Sequence, residues 1–276
     1  MKVWVTGALI VALIVTAGGC QSSASTNATE KFTLASTTSI QDSGLLAPLT
    51  ALFEKDIPHY RVAVVAVGSG EAIQLARAGD ADVLLTHSPE DEARFMRDGL
   101  GVSRQPVMQS TFVIAGPASD PAHIRQTSTV SEAFTSILKT SSKFISRGDG
   151  SGTHKREQKI WRSAGVEPKG DWYISTGQGQ GESLDVAAQQ DAYILTDLPT
   201  LLNNPKPRLK VLFDHDPILV NPYSVIPVKG AKHLAAAIAF ANWITGTHAR
   251  SFIASFGKSR FARGLFTLPA KPTTHA

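Results

Sequence analysis

Short apolar runs alternate with helical stretches along most of this chain, and the turns between them are built from glycine and hydroxyl residues. Residues 32–35 read as a strand, and Leu45, Leu46, Leu49, Leu52 and Phe53 recur at helical spacing just after it. The Val-rich run 61–67 reads as a buried strand with a helix following over 71–78, and residues 81–85 and 89–98 repeat the pair. This alternation predicts an α/β fold: a mostly parallel, doubly wound sheet flanked by helices. In such sheets ligands bind outside the C-terminal ends of the strands, where the turns lie.

A second unit follows. Apolar segments at 107–108 and 111–115 end at Gly116-Pro117, and the stretch 117–143 is rich in Ser and Thr, with one amphipathic helix over 130–138. Further strands are expected at 171–175, 192–195 and 209–213, and a returning strand at 224–228. Helices over 233–245 and 248–256 cannot form a core alone and are expected to pack back on the first unit. Two lobes result, 31–113 with 222–268 and 114–221, joined by apolar crossings near 111–117 and 221–228.

Three of the turns share one chemistry. Ser36-Thr37-Thr38-Ser39 and Gly68-Ser69-Gly70 belong to the first lobe, and Arg147-Gly148-Asp149-Gly150-Ser151-Gly152-Thr153 to the second. Glycines allow backbone N–H groups to approach a guest, and a helix start adds free N–H donors. Hydroxyls add further donors, and Arg147 is the one cation among the three turns. If the turns meet between the lobes, a small tetrahedral oxyanion receives donors from all sides. Thr38 or Ser39 can also cap the following helix, which is compatible with that role.

Other function classes find little support. The net charge is +4 and no block of Lys or Arg occurs, so nucleic acid is not an expected partner. The eight His residues are scattered without metal-ligand spacing, and no cofactor is expected. His87 follows a strand, but a single loop histidine reads first as a polar surface residue. Ser151 and His154 are close in sequence, yet the position two before Ser151 is Asp149, which departs from a nucleophile elbow, so an enzyme is not expected.

The first residues read as an export signal. Lys2 precedes an apolar run over 3–17, then Gly18-Gly19 and Cys20, the one cysteine of the chain. This resembles a bacterial lipoprotein signal and predicts cleavage before a lipidated Cys20 and an extracytoplasmic, membrane-anchored location, with Ala17 standing where Leu is usual and leaving simple cleavage and secretion as the alternative. Residues 21–30 are small and polar and read as a flexible tether, and 269–276 as a disordered tail.

The three turns are accompanied by Asp42-Ser43-Gly44-Leu45-Leu46, Gly79-Asp80-Ala81-Asp82-Val83, Trp172-Tyr173, Thr176-Gly177-Gln178-Gly179 and Asn221-Pro222-Tyr223. In order and spacing, over about residues 32–256, these segments resemble the substrate-binding component of bacterial tungstate ABC transporters. The resemblance implies a type II periplasmic-binding-protein fold, with two lobes closing on the anion. It further implies delivery to a membrane permease with a cytoplasmic ATPase, and a monomeric binding protein. By that pattern the ligand residues are Thr37, Thr38, Ser69, Arg147, Ser151 and Thr153, with Gly70 and Gly152 beside them. The family often has Thr where Ser36 stands and Asp where Ser88 stands. The Arg-x-x-x-Ser-Gly-Thr core is shared with phosphate-binding proteins, so a binder of phosphate or another tetrahedral oxyanion is the alternative, and a secreted serine-type hydrolase a more distant one. Tungstate is expected to bind most tightly and molybdate next, since neither presents a proton to a donor-only site. An Asp149 carboxylate facing the ligand would instead favour phosphate.

Overall fold

The computed structural model describes Met1 and residues 29–203 and 208–269. The expected signal segment with Cys20, the tether up to residue 28 and the tail from residue 270 lie outside the described residues. Among those described, no helix is long and apolar enough to cross a membrane.

The chain opens with β1 (Glu30–Thr37), α1 (Thr38–Asp42), α2 (Leu46–Asp56), β2 (Tyr60–Val67), α3 (Ser69–Ala78), β3 (Val83–Thr86), α4 (Pro89–Arg97) and β4 (Gln105–Gly116). It continues with α5 (Val130–Lys139), β5 (Phe144–Ser146), α6 (Gly152–Ser163), β6 (Tyr173–Ser175), α7 (Gln180–Gln189), β7 (Tyr193–Asp197), α8 (Leu198–Asn203) and β8 (Lys210–Phe213). Last come β9 (Val220–Pro227), α9 (Leu234–Ile244), α10 (Thr247–Ser255) and α11 (Lys258–Phe261). The helix boundaries have local causes. Thr129 and Glu132 form a reciprocal capping box at the start of α5, and Gly79 ends α3 at φ +85°, a conformation that suits glycine.

The strands form one continuous order, β2-β1-β3-β9-β4-β7-β5-β6, with β8 also beside β4. The outer pairs β1–β2, β1–β3, β5–β6 and β5–β7 are parallel, as helical crossovers require. The middle is antiparallel: β9 pairs with β3 and β4, and β4 pairs with β7. Strand β4 therefore lies against β9 up to Thr111 and against β7 from Phe112 to Ala115. Buried apolar residues fall on either side of this passage. Phe32, Phe53, Phe240 and Ile253 belong to one cluster, and Phe134, Phe144, Trp161 and Tyr193 to another. The C-terminal helices α9 and α10 contribute to the first cluster.

Three expectations change. The apolar segments at 107–108 and 111–115 are one uninterrupted strand, because the polar Ser110 between them is bonded to Asn221, whose Nδ2 donates to its Oγ at 3.0 Å. The Val-rich β2 is not a buried strand but the sheet edge, and Val64 is 38% exposed. The cap of the first helix is Thr37 rather than Thr38 or Ser39, which already belong to α1.

Candidate oxyanion site

The three hydroxyl and glycine turns follow β1, β2 and β5, all at C-terminal strand ends, and the passage of β4 and β9 brings them together. In the first turn, Ser36 Oγ donates to the Leu85 carbonyl at 3.2 Å, tying β1 to β3. Thr37 Oγ1 accepts the Ile40 N–H at 3.4 Å and caps α1. In the second, Ser69 is fully buried and its Oγ accepts the His87 N–H at 3.5 Å. In the third, Gly148 and Gly150 both adopt positive φ, at +65° and +69°. A side chain on Gly148 would also collide with the Ser175 hydroxyl. Ser151 then caps α6, its Oγ accepting the His154 N–H at 3.3 Å.

Arg147 stands at the centre. It is 2% exposed, and its guanidinium leaves the second unit to meet the first: Nη2 donates to Thr38 Oγ1 at 3.1 Å and Nη1 to Ser39 Oγ at 3.4 Å. Nη1 also lies 3.4 Å from Gln180 Oε1. Asp149 Oδ2 accepts from Arg147 Nη2 at 2.5 Å, and its Oδ1 accepts the Ser151 N–H at 3.1 Å. Both carboxylate oxygens are thus engaged within their own loop. The backbones also approach closely. A Cβ on Gly68 would lie 3.5 Å from Ser151 Cβ, and one on Gly70 would lie 3.2 Å from the Gly150 carbonyl. A Cβ on Gly152 would lie 2.7 Å from the His87 carbonyl. Around the rim, Lys155 on α6 pairs with Asp91 on α4, Lys159 with Glu90, and Asp42 Oδ2 accepts the Gly181 N–H at 3.0 Å.

Buried polar groups in proteins are almost always hydrogen-bonded, so unpartnered ones mark a place where something else is bound. Among the described residues these atoms are His87 Nε2, Ser146 Oγ, Arg147 Nε, Thr153 Oγ1 and Gln180 Nε2. All belong to the three turns or to residues packed on them; Ser146 Oγ also neighbours the Glu157 carboxyl. Arg147 Nε and Gln180 Nε2 can only donate, the two hydroxyls can donate, and Arg147 supplies a full positive charge, so the place suits an anion.

Of the eight residues expected at the site, Thr38 meets Arg147, Gly70 approaches the Gly150 carbonyl, Ser151 lies against Gly68 and Ser69 and Gly152 both meet His87, while Thr37 and Thr153 are buried within the same turns. Thr37 and Ser151 use their hydroxyl oxygens as helix caps, whereas Thr153 Oγ1 is free and buried. His154 does not pair with the Ser151 hydroxyl: its Nδ1 accepts the Gly150 N–H at 2.9 Å, so it stiffens the loop.

His87 corrects the surface expectation. It is 3% exposed and packs on Tyr223 and Phe112, on the two crossing strands. Its Nδ1 lies 2.9 Å from Asn221 Oδ1, an acceptor, so Nδ1 carries the proton. Burial pushes the imidazole down to about 4, with the Arg147 and Arg156 charges in the same direction and the Asn221 bond opposing. Behind the loop, Glu157 accepts from Tyr173 Oη at 2.6 Å and Trp161 Nε1 at 3.2 Å. Burial pushes its carboxyl up to about 7 against these bonds. Gln180 was not among the expected residues; the one sequence signal for it is the glycine-rich turn that introduces α7.

Known proteins resemble the chain over most of its length. The model of the PBP superfamily domain matches residues 21–247. The tungstate-binding protein TupA of Peptoclostridium acidaminophilum is 39% identical, covering 95% of this chain and 96% of its own. The crystal structure of the tungstate ABC transporter from Geobacter sulfurreducens superposes with a TM-score of 0.75 at 41% identity, over 82% of this chain and 99% of that one. TupA from Desulfovibrio alaskensis G20 gives a TM-score of 0.71 at 36% identity, over 88% of this chain and 100% of that one.

Proposed function

The chain belongs to the PBP superfamily, and from that premise we propose that it is the binding component of an ABC transporter that takes tungstate, with molybdate next in preference. It hands the anion to a membrane permease driven by a cytoplasmic ATPase. One observation carries the ligand class: Arg147 is sealed between the two units and bonded to hydroxyls of the opposite one, with the Arg147 Nε and Gln180 Nε2 donors and the Thr153 hydroxyl left without partners around it. Tungstate near neutral pH is a dianion that offers only acceptors. Monohydrogen phosphate must place a proton, and a buried polar group left unpaired costs ~1–3 kcal/mol. The carboxylate able to take that proton, Asp149, already accepts from Arg147 and from the Ser151 N–H, which favours tungstate over the phosphate reading.

The anion contacts Thr37, Thr38, Ser69, Gly70, Arg147, Ser151, Gly152 and Thr153 in this reading. The lobes are 31–113 with 222–268 and 114–221, and they close about β4 and β9, the strands that pass between them. The protein acts as a monomer, outside the cytoplasm, held to the membrane by a lipid on Cys20, and performs no catalysis. The test is calorimetric titration with tungstate, molybdate, sulfate and phosphate. Tungstate is expected to bind tightest and phosphate far more weakly; phosphate binding as tight as tungstate would refute the reading. Labelling with palmitate tests the anchor, and should mark the wild type but not Cys20→Ala.

A further inference from the structure

A fourth strand-to-helix turn reaches the same place. Thr176-Gly177-Gln178-Gly179 runs from β6 into α7, whose first residue is Gln180. A Cβ on Gly179 would lie 3.7 Å from the Thr38 methyl, so this turn abuts the first turn of the opposite lobe. Gln180 is fully buried. Its Oε1 accepts from Arg147 Nη1 at 3.4 Å, and its Nε2 has no partner. A guanidinium can only donate, so the carbonyl end of the amide must face it, and the NH2 is the end left over. At the start of α7 the Gly181 N–H is taken by Asp42. The unpartnered side chain, rather than the helix end, is what this turn contributes.

We propose that Gln180 is a further ligand-binding residue that sets selectivity among oxyanions; this rests on the tungstate reading. Its Nε2 donates to an oxygen of the bound anion while its Oε1 holds the guanidinium of Arg147 in place. The two roles use opposite ends of one amide, so the side chain is locked in the orientation that presents only a donor. An anion whose facing oxygen carries a proton meets that donor with another donor. Gln180 thereby rejects monohydrogen phosphate in favour of the unprotonated tungstate.

The test uses two variants of nearly unchanged volume. Gln180→Glu keeps an acceptor for Arg147 and replaces the donor with a charged acceptor. Gln180→Met keeps the volume and removes both functions. Affinities for sodium tungstate and sodium phosphate are measured by calorimetry on wild type and both variants, with thermal melting to confirm folding. Tungstate binding should weaken about tenfold or more in each. The tungstate-to-phosphate ratio should narrow, most in Gln180→Glu, whose carboxylate can accept the phosphate proton. A purely structural role would move both affinities together. An unchanged ratio in the folded variants therefore overturns the proposal while leaving the tungstate reading intact, and if only Gln180→Met folds, its ratio decides. Wild-type protein that binds no tungstate would overturn the functional reading and this proposal with it.

Discussion

Arg147 Nη2 and Thr38 Oγ1 lie 3.1 Å apart, yet one belongs to the loop after β5 and the other to the helix after β1. The bond joins the two halves of the molecule across the candidate site. Removing the hydroxyl takes one neutral hydrogen-bond partner from a charged group that retains others. Thr38→Ala is expected to weaken tungstate binding by ~0.5–1.5 kcal/mol, read by calorimetry, without a matching fall in melting temperature.

Thr37 behaves differently although it is adjacent. Its hydroxyl caps α1, so Thr37→Ala removes a cap worth about 0.5–2 kcal/mol. Denaturant unfolding should show that loss in the absence of any oxyanion. Equal stability with weakened binding would instead make Thr37 a ligand residue alone.

At Gly152 the backbone at the start of α6 lies against the loop between β3 and α4. A methyl there would sit 2.7 Å from the His87 carbonyl and 3.0 Å from its ring, and backbone cannot move aside as a side chain can. Gly152→Ala is expected to hold the lobes apart. Small-angle scattering with tungstate should give a larger radius for the variant than for wild type, and the affinity should fall about tenfold or more, ~1.4 kcal/mol. An identical radius would show that closure does not depend on this contact.

Two buried groups give opposite pH dependences. Glu157 is held up to about 7 from an ordinary 4.5, so the folded state keeps a proton that the unfolded chain releases. Its contribution is fully present below pH 4.5 and is lost as pH rises through 7, on the order of 3 kcal/mol at about 1.4 kcal/mol per unit. His87 is held down to about 4 from 6.5, so its contribution is present above pH 6.5 and lost as pH falls through 4. Glu157→Gln keeps an acceptor for Tyr173 and Trp161 and cannot ionise. Urea unfolding at several pH values should find it more stable than wild type at pH 8, with the difference vanishing near pH 4. A difference independent of pH would contradict a protonated Glu157.

The turns were legible in the sequence because glycine and hydroxyl residues follow apolar runs there, and parallel strands place such turns on one edge. What the local pattern did not carry was the order of the strands. Nothing near Val64 tells an edge strand from a central one, since β2 has the same Val-rich composition that a buried strand would have. His87 looked like a surface residue because the groups that bury it, Asn221, Tyr223 and Phe112, lie far along the chain on the crossing strands. Ser110 interrupted an apolar pattern that is continuous in space, its partner again being Asn221. Gln180 reads as an ordinary helix-start residue until Arg147 is seen against its carbonyl. For His87, Ser110 and Gln180 the missing information is a long-range partner for a polar group.

The central claim is that an oxyanion is held between the lobes by Arg147, and the affinity of Arg147→Ala for tungstate tests it most directly. A hydrogen bond to a charged group contributes ~1.5–3 kcal/mol, and the Arg147 Nε–H, which has no partner in the protein, is free to make one while the guanidinium charge faces the dianion. Tungstate binding should be weaker by ~100-fold or more, with Arg147→Lys also impaired because the three donors of an ammonium cannot reach Thr38, Ser39, Gln180 and Asp149 and still supply the anion. Melting of the same protein controls for folding, since Arg147 also pairs with Asp149. Near-normal tungstate affinity in folded Arg147→Ala would contradict the account.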